Sequence, residues 1–427
     1  MTMSLYVLRW KMTHRIICML SPEYLRDVAA GSEKIASDLH DYIIQQIVER
    51  MMLRIGRGKE YLLTSSDKWR IKVLQDAGYL LEDITEELAT YTKRQKAEIK
   101  AAMEEAGVKA ISYDDKIYEA AGLSPLPLWE SPELVRLMER NMLATGNEWN
   151  NYTRTTAAAA QSAYINACDL AYNKVMSGAT AYSQAVREAI DSIVSEGVTV
   201  TYPSGHKDTI ETATARAVRT GIGQAAGDIA LKRMIEMEWD IILVSAHIGA
   251  RTGDGGENPG NHFWWQGKYY SRTGNDDRFP EFYGATGYGT GEGLCGWNCR
   301  HSFGSGTGND EDNPYKEIQT EDNERVEKVE KKQRELERRI RKTKRAVMGW
   351  QTAVENCTDE ETRFSLQQQL DRKSYLLQKQ NAAYKEYCKQ NDLRELKDRL
   401  MIAKWSRQNA AKARGAAKRY KTAKGID

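Results

Sequence analysis

Apolar side chains recur at spacings of three, four and seven through Leu25, Val28, Ile35, Leu39, Ile43, Ile47 and Met51, the pattern of one amphipathic helix. Ser66 and Asp67 offer an N-cap before Trp69, Val73 and Leu74. Gly78 reads as a turn, and Ile84, Leu88 and Tyr91 restart the stripe. Pro125, Pro127 and Pro132 form the one proline cluster, so a break is expected there and a helical N-terminal domain over 21–145.

Residues 148–177 and 181–195 are rich in alanine and sparse in aromatics, as suits helices packed through small faces, with Gly178 and Gly197 as stops. GVTVTYPSGHK then alternates apolar and polar residues before a Pro-Ser-Gly turn, which predicts a short strand or hairpin arm. A helix follows over about 208–237. Ala213, Ala217, Gly221 and Ala225 fall every four residues on one face of it and admit a close neighbour, while Arg216 and Arg219 lie off that stripe.

The pattern changes between Ser245 and Tyr315. These 71 residues hold sixteen of the 32 glycines, yet Ile248 and Leu294 are their only Leu, Ile, Val or Met side chains. An aliphatic core of its own is excluded. Burial must come from Phe263, Trp264, Trp265, Tyr269, Tyr270, Phe279, Phe282, Tyr283, Tyr288, Trp297 and Phe303. So loop-rich a segment carries a large backbone-entropy cost, and an extra anchor is expected, either docking on a neighbouring domain or a metal.

From about Ile318 a heptad register runs through Val326, Val329, Leu336, Ile340, Val347, Trp350 and Val354, with polar Gln333 and Thr343 at two seam positions. Thr358 and Glu361 read as a capping box opening a second helix with Leu366, Leu370, Leu377, Tyr384, Leu393, Leu396 and Leu400. The expected fold is mainly α, with a small α+β module rich in glycine and aromatic loops and a C-terminal coiled-coil-like helical hairpin. That hairpin is also readable as an arm pairing with another subunit. The expected units are an extension of doubtful start at 1–20, the helical domain 21–145, a central α+β unit 146–315 containing the 245–315 loops, charged helices 316–403 and a basic tail 404–427.

Length allows roughly two to four domains. With 62 basic and 60 acidic residues the net charge is +2, so no whole-protein field steers the chain to nucleic acid or lipid. Six cysteines, at positions 18, 168, 295, 299, 357 and 388, are too sparse for a disulfide scaffold and fit a reducing cytosol. The first residues imitate a signal peptide, but the apolar run from Ile16 to Leu20 is short and no small-residue cleavage site follows; Met19 is an alternative start. No run reaches the ~18 apolar residues of a membrane helix.

Local chemistry lies in two places. His262, Cys295, Cys299 and His301 supply nitrogen and sulfur donors in the number and softness of a structural tetrahedral Zn²⁺ site, although Cys-x3-Cys-x-His is not the usual knuckle spacing. The alternative is that the cysteines are packed small hydrophobes and His301 a satisfied hydrogen-bonder. His247, Arg251, Asp254, Glu257 and Glu292 are the residues a catalytic pocket would use, but no recognised catalytic pattern is present and no catalytic residue is assigned. The tail holds Lys404, Arg407, Lys412, Arg414, Lys418, Arg419, Lys421 and Lys424 against Asp427 alone, a local +7. Such a charge fits salt-dependent, sequence-independent contact with phosphate backbones, or a solvated helix end.

VRTGIGQAAGDIALKRM at 218–234, VSAHIGARTGDGGENPGNHFWWQGKYYS at 244–271 and TGYGTGEGLCGWNCRH at 286–301 together resemble the Mu F-like head-morphogenesis minor capsid proteins of phages, most closely phage minor capsid protein 2. The family elements fall on His247, Ala250 and Arg251, on Trp265, Gln266, Gly267 and Lys268, and on Asn298, Cys299, Arg300 and His301. The resemblance covers the central third. It departs at His301, where Mu F-like relatives often carry a second cysteine. It implies a structural virion protein of low copy, associated with the portal inside the head, assisting assembly and DNA packaging or ejection. The implied partners are the portal protein, packaged double-stranded DNA and further copies of itself or capsid and scaffold proteins, with no membrane before infection. It also implies host cytoplasm as the place of assembly. The competing expectation is an internal virion enzyme, nuclease- or transferase-like, built on 245–310.

Overall fold

The computed structural model describes residues 20–202 and 204–426, so the expectations for the first 19 residues lie outside the described residues. Helix α1 (Pro22–Asp27) starts where Ser21 Oγ accepts a hydrogen bond from Tyr24 N at 3.1 Å, and α2 (Ala30–Ile55) follows after a break at Val28 and Ala29. The single helix expected through Leu25 is therefore two. Its stripe holds from Ile35 to Met51, all of it buried.

Helix α3 (Ser66–Ala120) runs 55 residues straight through Gly78, which does not form the expected turn. A lone glycine costs a helix about 1 kcal/mol relative to alanine, far less than the burial of Trp69, Val73, Ala77, Leu80 and Ile84 around it returns. The proline cluster does break the chain. Ser131 caps α4 (Pro132–Met176) by accepting from Leu134 N, and Pro132 takes the first position, where no N–H is required. The 145/146 boundary lies inside this helix.

Helix α5 (Tyr182–Glu196) stops at Gly197, whose φ of +69° suits glycine. The expected hairpin forms from β1 (Thr199–Thr201) and β2 (Lys207–Thr209), antiparallel with Thr199 opposite Thr209. It leads into α6 (Ile210–Glu236), which packs against α2, α3 and α4 and is buried on most sides. The small-residue stripe explains that fit: a Cβ on Gly221 would lie 2.1 Å from Thr145 Oγ1 of α4.

Strand β3 (Ile241–Val244) is the centre of an antiparallel sheet ordered β4–β3–β5, with β4 (Tyr269–Ser271) and β5 (Phe303–Ser305) at its edges. Two short helices, α7 (His262–Trp265) and α8 (Phe282–Thr286), close the loops. Trp265, Tyr270, Phe282 and Phe303 supply the aromatic core, joined by Ile242, Val244 and Leu294 and set on Ala230, Leu231 and Met234 of α6. The missing aliphatic side chains are thus borrowed from a neighbouring helix. Tyr283 and Trp297 are not part of that core; they remain 45% and 58% exposed.

A polar contact fixes the sheet to α3. The carboxyl group of Asp114, fully buried, accepts from Ser305 N at 3.1 Å, and Tyr118 Oη shares a hydrogen bond with Ser305 Oγ at 2.5 Å. Burial pushes Asp114 up to about 8 from its ordinary 3.8, against the pull of the Ser305 N–H.

Helices α9 (Thr320–Asn356) and α10 (Glu360–Gln390) pack along each other, while α9 also packs on α2 and α5. The heptad residues Ile340, Val347 and Trp350 are fully buried in a core shared with α2, α3, α4 and α5, so α9 belongs to the body rather than projecting as an arm. Asp359, not Thr358, caps α10 by accepting from Thr362 N at 2.9 Å; Thr358 N is engaged by Gly56 O at 3.1 Å, at the end of α2. The second helix also ends earlier than its leucines predict. Asp392 has φ +51°, and Leu393, Leu396 and Leu400 follow in irregular and 3₁₀ chain. Helix α11 (Arg407–Lys424) starts at a capping box formed by Ser406 and Asn409.

Arg345 of α9 is buried among α2 and α6. Its Nε meets Asp41 Oδ1 at 2.7 Å, its Nη1 Glu211 Oε1 at 2.5 Å and its Nη2 Ser37 Oγ at 2.9 Å. His40 Nδ1 lies 2.8 Å from the other Glu211 oxygen, and Lys404 N donates to Asp41 Oδ2 at 2.9 Å. Burial works to raise Glu211, but Arg345 and His40 outweigh it and hold the carboxyl well below the usual range.

Replacing Arg345→Ala leaves two buried carboxylates without their cation and is expected to cost about 3–5 kcal/mol in denaturant unfolding; a loss below about 1 kcal/mol would refute the network's role. Asp114 gives a pH prediction. The folded chain keeps its proton up to about pH 8, whereas the unfolded chain loses it near 3.8, so stability falls as pH rises across that window and levels above it. Unfolding free energies of wild type and Asp114→Asn measured from pH 5 to about 9 should converge at low pH and diverge at high pH; parallel curves contradict this.

Candidate functional site

The loop elements singled out by sequence meet around His301, which contacts His247 and Gln266. After β3 the chain carries His247, whose ring stacks on that of His301 with centroids 4.4 Å apart. Asn261 caps α7 by accepting from Trp264 N at 3.1 Å, which buries His262 and Trp265 together. Left-handed turns at Cys295 (φ +59°) and Asn298 (φ +56°) then return the chain so that Cys299 and His301 come back against α7.

Ligand atoms of His262, Cys299 and His301 all lie within 4.8 Å of one another, and the three residues are buried. The expected fourth member, Cys295, is not with them. Its Cβ lies 3.9 Å from where a Cβ on Gly223 of α6 would stand, and its thiol lies 3.8 Å from the His301 carbonyl. Cys299 and His301 do share one tight turn, with Cys299 Sγ 3.6 Å from His301 Nδ1.

Hydrogen bonds set the orientation of both imidazoles. His262 Nε2 faces the carbonyl of Glu292 at 2.7 Å and must donate to it, which leaves Nδ1 as the acceptor. Gln266 Oε1 accepts from His247 N at 3.0 Å, which fixes its amide orientation, and lies 2.9 Å from His301 Nε2. His301 therefore also donates from Nε2 and turns its Nδ1 lone pair toward Cys299. Burial lowers His262 to about 4 and, helped by His247 and His262, takes His301 well below its ordinary range. The same burial raises the Cys299 thiol. Both rings are thus neutral near pH 7, the form in which imidazole ligates a metal, and the donor set of two nitrogens and one sulfur suits Zn²⁺.

The other motif residues brace this centre. Trp265 Nε1 donates to Pro259 O at 3.0 Å, Gly267 (φ +71°) turns the chain into β4, and Lys268 Nζ lies 5.6 Å from the Trp264 ring centroid. Arg251 Nη2 donates to Trp297 O at 2.8 Å, Asn298 Oδ1 accepts from Arg219 Nη1 at 3.1 Å, and Arg300 pairs with Glu330 of α9 at 3.4 Å. Trp297 contributes its carbonyl here; its ring is outside. The carboxylates of a catalytic reading lie at the surface: Asp254, Glu257 and Glu292 are exposed, and Asp254 is engaged by Gly256 N and Asn258 Nδ2. Sequence reasoning missed Asn323. This buried α9 residue accepts from Gly249 N and Ala250 N, both at 2.8 Å, and donates to Ala250 O at 2.9 Å, clamping the loop that carries His247. Its place one turn before the heptad stripe gave no signal of a loop contact.

The basic segment is an ordered helix. Ala413, Ala416 and Ala417 of α11 are buried, Lys412 pairs with Glu355, and Arg419 makes a two-pronged pair with Asp371 at 2.7 and 3.1 Å. Lys404 Nζ lies 3.4 Å from Asp38. Arg407, Arg414, Lys418 and Lys424 are exposed and Lys421 is half-buried. Among the described residues no helix is long and apolar enough to cross a membrane.

The family model described as phage minor capsid protein 2 matches residues 20–377. A protein of Lactococcus phage LL-H named "Structural protein" is 25% identical over 338 residues, covering 72% of this chain and 85% of that protein. No solved structure matches. The matched region includes the whole His262–His301 centre and the helices that carry it, and this chain belongs to the phage minor capsid protein 2 family.

Proposed function

We propose that the chain is a structural protein of a tailed-phage head, present in few copies inside the capsid at the portal, where it assists head assembly and DNA packaging or ejection. The observation that carries this reading is how the motif residues are used. Arg251, Gln266, Asn298 and Arg300 are engaged by a backbone carbonyl, an imidazole and side chains of neighbouring helices, the pattern of residues that hold a fold. The family match and the relative's name support a structural role. Helix α11 supplies the contact with packaged double-stranded DNA, and the portal, other capsid or scaffold proteins and further copies are the protein partners.

Within this reading the buried centre holds a zinc through His262, Cys299 and His301, three of the four donors of a closed tetrahedral site. The ion would cross-link α7 to the returning 295–301 loop, the extra anchor that a segment without its own aliphatic core calls for.

Two measurements test the function. Mass spectrometry of purified particles, with density maps of the head, should find the chain at low copy beside the portal. Absence from particles, or assembled particles whose hydrolytic activity disappears with His247→Ala, would overturn the structural reading. For zinc, elemental analysis should give about one ion per chain, retained in Cys295→Ser and lost in Cys299→Ser; a wild-type content well below one removes the metal.

A further inference from the structure

The eight cations after residue 403 are not equivalent. At 3.6 residues per turn, Arg407, Arg414 and Lys418 fall within an arc of about 40° on α11, and all three are exposed. The opposite side of the helix faces the body. Ala413, Ala416 and Ala417 are buried, Asn409 Nδ2 donates to Gln351 at 2.9 Å, and the Tyr420 ring stacks on Tyr375 at 5.1 Å. Lys412 and Arg419 occupy one flank, where Glu355 and Asp371 neutralise them. No Asp or Glu occurs from 401 to 426, so nothing on the helix itself cancels the outer charges.

We propose that the outer face of α11, through Arg407, Arg414 and Lys418, is a docking surface for the phosphodiester backbone of duplex DNA, and that Lys404, Lys412 and Arg419 serve to latch the helix to the body. This rests on the reading of the chain as a DNA-contacting head protein and assigns that contact to one face. The spacing fits the ligand. With a rise of 1.5 Å per residue, the three cations span about 16 Å, and the duplex carries a phosphate on each strand every 3.4 Å or so. Between them stand Ala410, Ala411 and Gly415, small residues that let the helix approach a strand closely. All three side chains are cations, the residue type that most often contacts phosphate oxygens.

The test uses the full chain and a short duplex of arbitrary sequence, with affinity measured over a salt series. Three phosphate contacts give a slope of log affinity against log salt near −2.7. Arg414→Glu with Lys418→Glu should weaken binding roughly tenfold or more at about 50 mM salt and flatten the slope by about 2. Arg419→Gln should leave the slope unchanged while lowering the melting temperature slightly. Circular dichroism of each variant reports that α11 remains helical. Equal affinity and slope in wild type and the double charge reversal would overturn the assignment of the face and leave the DNA contact standing. A wild-type chain that does not bind duplex at all, as when the face meets an acidic protein instead, would overturn both. Absence of the chain from particles is a separate failure, of the proposed function alone.

Discussion

The body is organised around Arg345. One guanidinium satisfies Asp41 and Ser37 of α2 and Glu211 of α6, and the second Asp41 oxygen then receives the backbone of Lys404 just before α11. Helices far apart in sequence thereby obtain a fixed register that apolar contact alone leaves loose, because a stripe of alanine and isoleucine tolerates sliding whereas a forked cation between two carboxylates does not. Helix α6, positioned this way, presents Ala230, Leu231 and Met234 as the floor beneath the aromatic loops.

That floor decides what the loop segment is. Its rings and glycines form no domain alone; they cover a helix end and are pinned by Asp114 and Tyr118 of α3 on one side and Asn323 and Glu330 of α9 on the other. His262, Cys299 and His301 sit where these restraints converge. The family signature is therefore a description of how a poor core is held in place.

Much of this was legible in the chain. The stripe from Ile35 to Met51, the proline break, the hairpin before residue 210 and the small-residue face of α6 all follow from spacing, which is set by local geometry. The demand for an outside anchor followed from counting aliphatic side chains between 245 and 315. What stayed hidden depends on contacts between distant residues. Gly78 looked like a turn because local propensity does not register the packing around it. Arg345, Asp41 and Glu211 gave no signal because a hydrophilic position in a helical pattern carries no mark of burial. Cys295 looked equivalent to Cys299, and only the left-handed backbone at 295 separates them.

The same guanidinium has a consequence in time. A ribosome delivers Asp41 first, Glu211 some 170 residues later and Arg345 only after a further 134. Until α9 emerges, Glu211 has His40 beside it but Asp41 lacks the guanidinium it meets in the finished body, and both carboxylates belong in a dry interior. The buried network that joins α2 and α6 is thus completed only after α9 has been made. Of the charged side chains in that network, the one that closes it is the last to be made.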